Sequence, residues 1–532
     1  MPVEGWGLGS RQTQDVARDG RLGNLTTPGS VQKLQTALHA KAKEEPGYRF
    51  YLLYDKVYRG DVLEFAYRCC KANKGAAGVD GQEFDDIEAY GEGRWLGELA
   101  QRLKRKDYRP EAVRRVWIAK PGSSKMRPLG IPRIADRVVQ TAAMLVLDPI
   151  FEADLQPEQY AYRRERGAHD AIRAVHRLLN TGHTEVVDAD LSGYYDSIPH
   201  AELMKSVARR VVDRHVLHLI KMWLEAPVEE DDGKGNRKRT TPNRDSKRGT
   251  PQGSPISPLL SNLYMRRFIL GWKQLGMQHR WSAHIVNYAD DFVICCKGSA
   301  EQAMEAMREM MGRLKLTVND EKTHLCRIPQ ERFDFLGYTF GRCYSRRDGH
   351  AYLGTRPSKK SIRRMVESVS RETDRSRLLL NAEDVVARLN RKLVGWANYF
   401  CLGPVSPAYR TVNDHVTQRL RRGCAASTRF AARGRHATPT STCTSSWDWL
   451  ICRREPATFR GRAHECLSES RVRVNRTLGS MSGNVETELW RGYSGTARRK
   501  GRQRTNQTYC HRATSRLYRA PFHGARQTTI QR

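Results

Sequence analysis

The run Ile285-Val286-Asn287-Tyr288-Ala289-Asp290-Asp291-Phe292-Val293-Ile294 sets two adjacent carboxylates between two apolar stretches. Apolar runs on either side of polar turn formers read as a β-hairpin with its turn at the acids. Taken alone, such a turn has an ordinary explanation, because Asp is a common turn former. Upstream, however, Val186-Val187-Asp188-Ala189-Asp190-Leu191 is a second strand pattern ending in a carboxylate, followed by Ser192-Gly193-Tyr194-Tyr195-Asp196. Strand alternation places Asp188 and Asp190 on one face. Carboxylates fixed on strands offer the hard oxygens that Mg²⁺ prefers, and the ion commonly takes one or two of them plus substrate phosphates. Two such ions about 3.5–4 Å apart can activate an attacking hydroxyl and stabilise a leaving pyrophosphate.

The rest of the chain says what such a site would act upon. Its 532 residues carry 92 Lys+Arg against 58 Asp+Glu, a formal charge of +34. That excess points to a polyanionic partner. At about 100–200 residues per domain the length implies roughly three or four domains, which excludes a single small binding module. The first thirty residues hold no apolar run long enough for a signal peptide or a spanning helix, so a cytoplasmic location is expected, of bacterial type and open to nucleoid association. Twelve cysteines without any C-x-x-C spacing predict reduced thiols, with neither zinc nor a disulfide framework.

Residues 1–30 are polar and aperiodic, and read as a flexible leader. From Val31 the apolar residues Val31, Leu34, Leu38 and Ala42 recur at helical steps. The stretch 71–81 is Gly-rich and turn-like, 83–103 is helical in pattern, and Val116-Trp117-Ile118 reads as a strand entering a turn. Residues 229–247 are charged and lack large apolar side chains, which predicts a solvated hairpin or loop. Basic residues crowd a helical pattern over 356–377, and Val386, Leu389, Leu393, Ala397 and Phe400 form another apolar stripe. Helices and short strands alternate without strict βαβ spacing, so an α+β fold is expected.

Between the two acidic segments lies Arg248-Gly-Thr-Pro-Gln-Gly-Ser-Pro-Ile-Ser-Pro-Leu-Leu-Ser-Asn262. Before them come Lys120-Pro-Gly-Ser-Ser-Lys-Met-Arg127-Pro-Leu-Gly-Ile-Pro132 and Tyr160-Ala-Tyr-Arg-Arg-Glu-Arg-Gly-Ala-His169. After them come Leu316-Thr-Val-Asn-Asp-Glu-Lys322-Thr323 and Phe333-Asp-Phe-Leu-Gly-Tyr338. With Tyr-Ala-Asp-Asp, this ordered set resembles the group II intron-encoded reverse transcriptases and maturases over about residues 31–421. The resemblance implies a right-hand polymerase: fingers over 31–170, a palm with an antiparallel sheet over 171–354, and a helical thumb or maturase domain over 355–422. It implies that Asp190, Asp290 and Asp291 bind two Mg²⁺ ions, replaceable by Mn²⁺, with the Leu191 carbonyl as a further ligand. Asp290 is the stronger of the adjacent pair, since pleating aims neighbours apart unless the turn reorients one. Asp188 is expected to be structural.

By the same resemblance Lys120 and Arg127 grip the nucleotide triphosphate, and Tyr195 blocks a ribose 2′-OH, which makes dNTPs the substrate. A plain aromatic core position is the competing reading of Tyr195. Gln252 lies near the nucleotide, Gly253 permits close backbone approach, and Lys322 contacts phosphate or primer. Residues 356–421, with Gly395-Trp396-Ala397-Asn398-Tyr399-Phe400, resemble the maturase domain; any packed helix would show the same stripe. Its Lys359, Lys360, Arg363, Arg364 and Arg371 would bind intron RNA. The other partners implied are an RNA template and a DNA primer or target. The scattered cysteines after Arg422 lack the paired spacing of an endonuclease module. Two alternatives remain in view, a catalytically silent splicing cofactor and a domesticated or defence reverse transcriptase.

Beyond Arg422 the pattern changes. Residues 423–532 hold 21 Lys+Arg, of which one is Lys, against 6 acids, and periodicity is lost. A basic, low-order tail is expected, with a frame-shifted origin favoured. In a shifted frame each new codon takes its last two bases from the first two of the existing codon. Thr438-Pro-Thr-Ser-Thr-Cys-Thr-Ser-Ser-Trp-Asp-Trp449 then permits Tyr-Pro-Asp-Gln-Tyr-Leu-Tyr-Glu-Gln-Leu-Gly-Leu, a string resembling the end of the family's maturase domain.

Overall fold

A computed structural model describes residues 21–22, 25–119, 126–231, 236–345, 348–374 and 382–433. The strands are β1 (Arg21–Leu22), β2 (Leu25–Thr26), β3 (Val113–Ala119), β4 (Met126–Ile131), β5 (Glu185–Ala189), β6 (Val228–Asp231), β7 (Arg237–Thr240), β8 (His284–Tyr288), β9 (Asp291–Cys296), β10 (His324–Arg327), β11 (Phe333–Phe335), β12 (Tyr338–Tyr344) and β13 (Ala351–Pro357). Most of residues 1–30, Lys120 and the tail beyond Arg433 lie outside the described residues. The first helix spans Gly29–Glu44, and a short β1–β2 pairing precedes it. Described structure therefore starts ahead of Val31. The helical stretch expected over 83–103 is two helices, Phe84–Tyr90 and Glu92–Arg105. Gly91, at φ +104°, separates them, a backbone state that only glycine adopts readily.

The central sheet has the order β10-β5-β9-β8 and is antiparallel throughout. Val186, Val187 and Ala189 of β5 are buried, as are Phe292 to Cys296 of β9, because helices cover one face, and the helix Ala168–Asn180 with a second sheet covers the other. On the helical side, Phe268 and Trp272 of Ser257–Gln274 and Met307 and Met311 of Ala300–Arg313 join the main apolar core. On the opposite side, Val186, Val293 and Cys295 pack with Phe333, Tyr338 and Phe340 of the sheet β11-β12-β13. A further sheet has the order β4-β3-β6-β7. Residues 229–247 indeed supply a hairpin, β6–β7, but it is not isolated in solvent: β6 runs parallel to β3 and extends that sheet. No local pattern announces this pairing, since its partners lie far apart in sequence.

Helices Lys359–Glu372, Ala382–Tyr399 and Ser406–Arg433 follow. Met365, Val369, Leu389, Leu393, Val412 and Val416 form their own core. The Gly-Trp-Ala-Asn-Tyr-Phe run fixes this bundle to the sheets. Phe400 enters the core beside Tyr338, the Tyr399 hydroxyl donates to the Leu336 carbonyl at 2.8 Å, and the Tyr399 carbonyl lies 2.6 Å from Nε2 of His169. The last helix does not stop at Arg422, where periodicity fades, but continues through Arg433. Alanine and arginine, frequent there, favour helix without an apolar stripe. Among the described residues no helix is long and apolar enough to cross a membrane.

Candidate active site

The Asp290-Asp291 pair stands at the β8–β9 turn, as the sequence pattern predicts. Ala289 takes the left-handed conformation there, at φ +59°, which breaks the alternation that would otherwise send neighbouring acids to opposite faces. Asn287 holds the turn: its side-chain amide donates to the Ala289 carbonyl at 2.9 Å. Its backbone exchanges hydrogen bonds with Glu158 and Tyr160. Sequence alone does not single out Asn287, since an Asn inside an apolar strand carries no distinctive spacing.

Asp190 follows β5 and is secured by the loop carrying Leu316-Thr-Val-Asn-Asp-Glu-Lys-Thr323. The Asn319 N–H donates to the Asp190 carbonyl at 2.8 Å and Ser192 N–H to the Thr317 carbonyl at 2.9 Å. On the side chain, Asn319 Nδ2 and Lys322 Nζ approach Asp190 Oδ2 at 3.1 and 3.0 Å. Leu191 is buried, bridged to Val318. Lys322, which the resemblance sets against phosphate or primer, pairs with an acid of the site.

The three acids share one field. Burial, then the charges of Asp290 and Asp190, push Asp291 up to about 7, although its side chain keeps an accessible edge. Burial foremost also raises Asp290, with Asp190 adding repulsion and Arg127 opposing it. Asp188, on the central strand, is pushed up to about 7 by burial and then by Asp291 and Asp190. Crowded carboxylates that resist ionisation together are suited to a divalent cation, which supplies the missing charge. Among the described residues no three His, Cys, Asp or Glu side chains form a ready-made metal cage. The donor set is nevertheless of the hard-oxygen kind that Mg²⁺ takes together with phosphate oxygens.

The surrounding residues come from distant segments. Arg127 is exposed on β4, and its charge acts on Asp290, Asp291 and Asp196. Gln252 donates from Nε2 to Asp196 at 3.2 Å, and its carbonyl accepts from the Gly130 N–H at 2.7 Å. Gly253, at φ +99°, lies so close to β4 that a Cβ would overlap the Gly130 carbonyl and Leu129. The Tyr195 carbonyl accepts from the Thr250 N–H at 2.7 Å, and its hydroxyl lies 3.1 Å from that of Tyr162. Thus Lys322 touches Asp190 and the charges of the acids reach Arg127 and Tyr195, while Gln252 and Gly253 contact Asp196 and β4. Lys359, Lys360, Arg363, Arg364 and Arg371 instead sit on the helix Lys359–Glu372, all exposed, with Arg363 paired to Glu367 at 3.0 Å.

Residues 118–340 match the family described as "Reverse transcriptase (RNA-dependent DNA polymerase)". The chain thus carries a reverse transcriptase domain, in keeping with acids on an antiparallel sheet. Residues 362–438 match the "Group II intron, maturase-specific domain". The chain is 32% identical over 372 residues to "Protein YkfC" of Escherichia coli (strain K12), covering 62% of this chain and 93% of that protein. It is 27% identical over 379 residues to "Group II intron-encoded protein LtrA" of Lactococcus lactis subsp. cremoris, covering 60% of this chain and 61% of the relative. "Nuclear intron maturase 2, mitochondrial" of Arabidopsis thaliana is 32% identical over 109 residues, 20% of this chain and 15% of its own. The chain belongs to the group II intron-encoded reverse transcriptase/maturase family. It spans less than two thirds of the Lactococcus relative's length.

Proposed function

We propose that this chain is an RNA-directed DNA polymerase that also binds a group II intron RNA and assists its splicing and mobility. The observation that carries the reading is the shared field of Asp190, Asp290 and Asp291, felt also by Arg127, Lys322 and Tyr195. Asp190, Asp290, Asp291 and the Leu191 carbonyl would hold two Mg²⁺ ions, for which Mn²⁺ can substitute. Bound there, the ions supply charge that activates a primer 3′-OH and stabilises pyrophosphate. Arg127, with Lys120, orients the triphosphate through charge-assisted hydrogen bonds. Gln252, braced by Asp196 and by the close contact of Gly253 with β4, borders the nucleotide site. The Tyr195 ring excludes a 2′-OH. Positioning and electrostatics then carry most of the rate enhancement.

In this reading residues 31–170 are fingers, 171–354 palm, and 355 onward a thumb that doubles as the maturase domain, extended by the last helix to Arg433. Its exposed Lys359, Lys360, Arg364 and Arg371 favour RNA backbone. The charge of +34 and the bacterial relatives support action in the cytoplasm at the nucleoid. The test is primer extension on poly(rA) with oligo(dT). Asp290→Ala is expected to abolish dTTP incorporation while intron RNA binding persists, because RNA contacts are spread over many cations. Extension by that variant at the unaltered rate would overturn the site assignment. Extension absent from the unaltered chain, with RNA binding intact, would favour the silent splicing cofactor.

A further inference from the structure

We propose that Tyr162 is a positioning residue for sugar selection, its hydroxyl engaging that of Tyr195 so that Tyr195 meets the nucleotide sugar as a wall and offers it no hydrogen bond. The proposal rests on the reading of Tyr195 given above. Tyr162 belongs to the Tyr160-to-His169 motif, for which the catalytic reading has no other use. Its hydroxyl reaches across 33 positions of sequence to lie 3.1 Å from the Tyr195 hydroxyl.

The backbone shows that this placement is enforced. Tyr162 is left-handed, at φ +56°, a state rarely adopted by bulky L-residues and one that persists only where the surroundings over-determine it. Its neighbours supply that constraint. The Ala161 carbonyl accepts from Asn262 Nδ2 at 2.8 Å. The Tyr160 N–H donates to the Asn287 carbonyl at 3.0 Å. The buried Arg163 guanidinium grips Glu152 and the carbonyls of Gln156 and Gln159. Tyr162 also feels the charges of Asp290, Asp291 and Arg127, so it stands within electrostatic reach of the acids.

A tyrosine hydroxyl has one donor and a limited acceptor capacity. The Tyr162 hydroxyl, 3.1 Å away, engages that of Tyr195, whereas the nearby Ser261 hydroxyl donates to the Pro258 carbonyl at 2.9 Å. With its hydroxyl so engaged, the Tyr195 ring can exclude a 2′-OH by bulk. Freed of Tyr162, it could donate to the 2′-oxygen, and a ribonucleotide would gain a bond that a deoxynucleotide cannot make.

The experiment measures kcat/KM for dTTP against UTP on poly(rA) with oligo(dT), using the full chain, Tyr162→Phe, Tyr195→Phe and the double variant. Tyr162→Phe is expected to lower the deoxy-to-ribo ratio about three- to tenfold, the worth of one net hydrogen bond, chiefly through a lower KM for UTP. In the Tyr195→Phe background the same change should leave the ratio where it is, since no hydroxyl remains to be freed. Tyr162→Asn, which also removes the hydroxyl and suits the left-handed backbone, should shift the ratio in the same direction and serves should Tyr162→Phe fold poorly. An unchanged ratio in Tyr162→Phe, or an equal drop in both backgrounds, would overturn the proposal. The underlying reading fails separately: Tyr195→Ala with an unaltered ratio would show that the ring does not select sugars at all.

Discussion

Nζ of Lys322 lies 3.0 Å from Oδ2 of Asp190, the carboxylate that follows β5. The lysine arrives on the loop that also donates the Asn319 backbone and side-chain N–H groups to Asp190, so charge compensation and positioning come from one segment. An ammonium here partly offsets three mutually repelling acids. A divalent cation that takes the same oxygen must compete with it.

Replacing that lysine should therefore separate two effects. Lys322→Met is expected to lower metal-free stability by no more than about 1 kcal/mol, because the pair is largely solvent-facing. The gain in Tm on adding Mg²⁺ should increase, since the competing cation is gone. Thermal melts with and without Mg²⁺ check this, and a smaller Mg²⁺ gain in the variant would contradict it.

The acids also predict how metal demand varies with pH. Asp291 stands at about 7 in the metal-free chain, well above the ordinary carboxylate value. A group raised in the folded state stays protonated until pH climbs through its folded pKa, so below about 7 a metal ion must displace a proton. The Mg²⁺ concentration for half-maximal extension should fall by up to about tenfold per unit from pH 6 to 7 and level off above about 7.5. Titrating Mg²⁺ at several pH values provides the check; a requirement constant across that range would mean that the carboxylates are already ionised.

At Gly253 the closeness of two backbones has a direct consequence. A Cβ would collide with the Gly130 carbonyl, and φ +99° is unfavourable for any other residue. Gly253→Ala is expected to displace Gln252 and raise KM for dNTP roughly tenfold or more, the scale of overpacking costs of about 1–3 kcal/mol. RNA affinity should hardly move. A filter-binding assay beside steady-state extension distinguishes these, and an unaltered KM would separate the loop from nucleotide binding.

Much of this arrangement is local in sequence and therefore readable there. The β8–β9 hairpin with Asp290-Asp291 at its turn follows from apolar runs of strand length, and Asp190 from the same pattern in β5. The parallel β3–β6 pairing, the reach of Tyr162 to Tyr195 and the Lys322–Asp190 contact depend on chain reversals that no window of residues encodes. Trp396, Tyr399 and Phe400 show a third case. Their run identifies the helical domain, but only the fold reveals them to be its packing joint with the sheets.

The basic helix makes a graded prediction for RNA. Neutralising Lys360 or Arg364 should each reduce the slope of log affinity against log salt by about 1, if each meets one phosphate. Arg363 is already paired with Glu367 at 3.0 Å, so Arg363→Gln should change the slope less than Arg364→Gln. Intron RNA binding measured over a salt series tests the ranking; slopes unchanged from that of the unaltered chain in every variant would remove this face from the RNA site.

The tail yields the last prediction. Between Arg422 and Thr438 we expect the gene to hold a change of reading frame. The expected change at about Gly423 moves downstream, because the match to the maturase-specific domain continues in the given frame to residue 438, where the shifted reading Tyr-Pro-Asp-Gln-Tyr-Leu-Tyr-Glu-Gln-Leu-Gly-Leu takes up. The continuation of helix through Arg433 does not oppose this, because alanine and arginine favour helix in any frame. The composition agrees, with one lysine among 21 basic residues in 423–532, a balance unlike that of the preceding chain. A basic RNA-binding tail in the true frame is the competing explanation. Resequencing codons 415–438 decides between them: an uninterrupted frame, with no maturase ending in the neighbouring one, would refute the shift. If the shift is present, restoring the frame should strengthen intron RNA binding and splicing, whereas primer extension, whose acids lie well upstream, should change less.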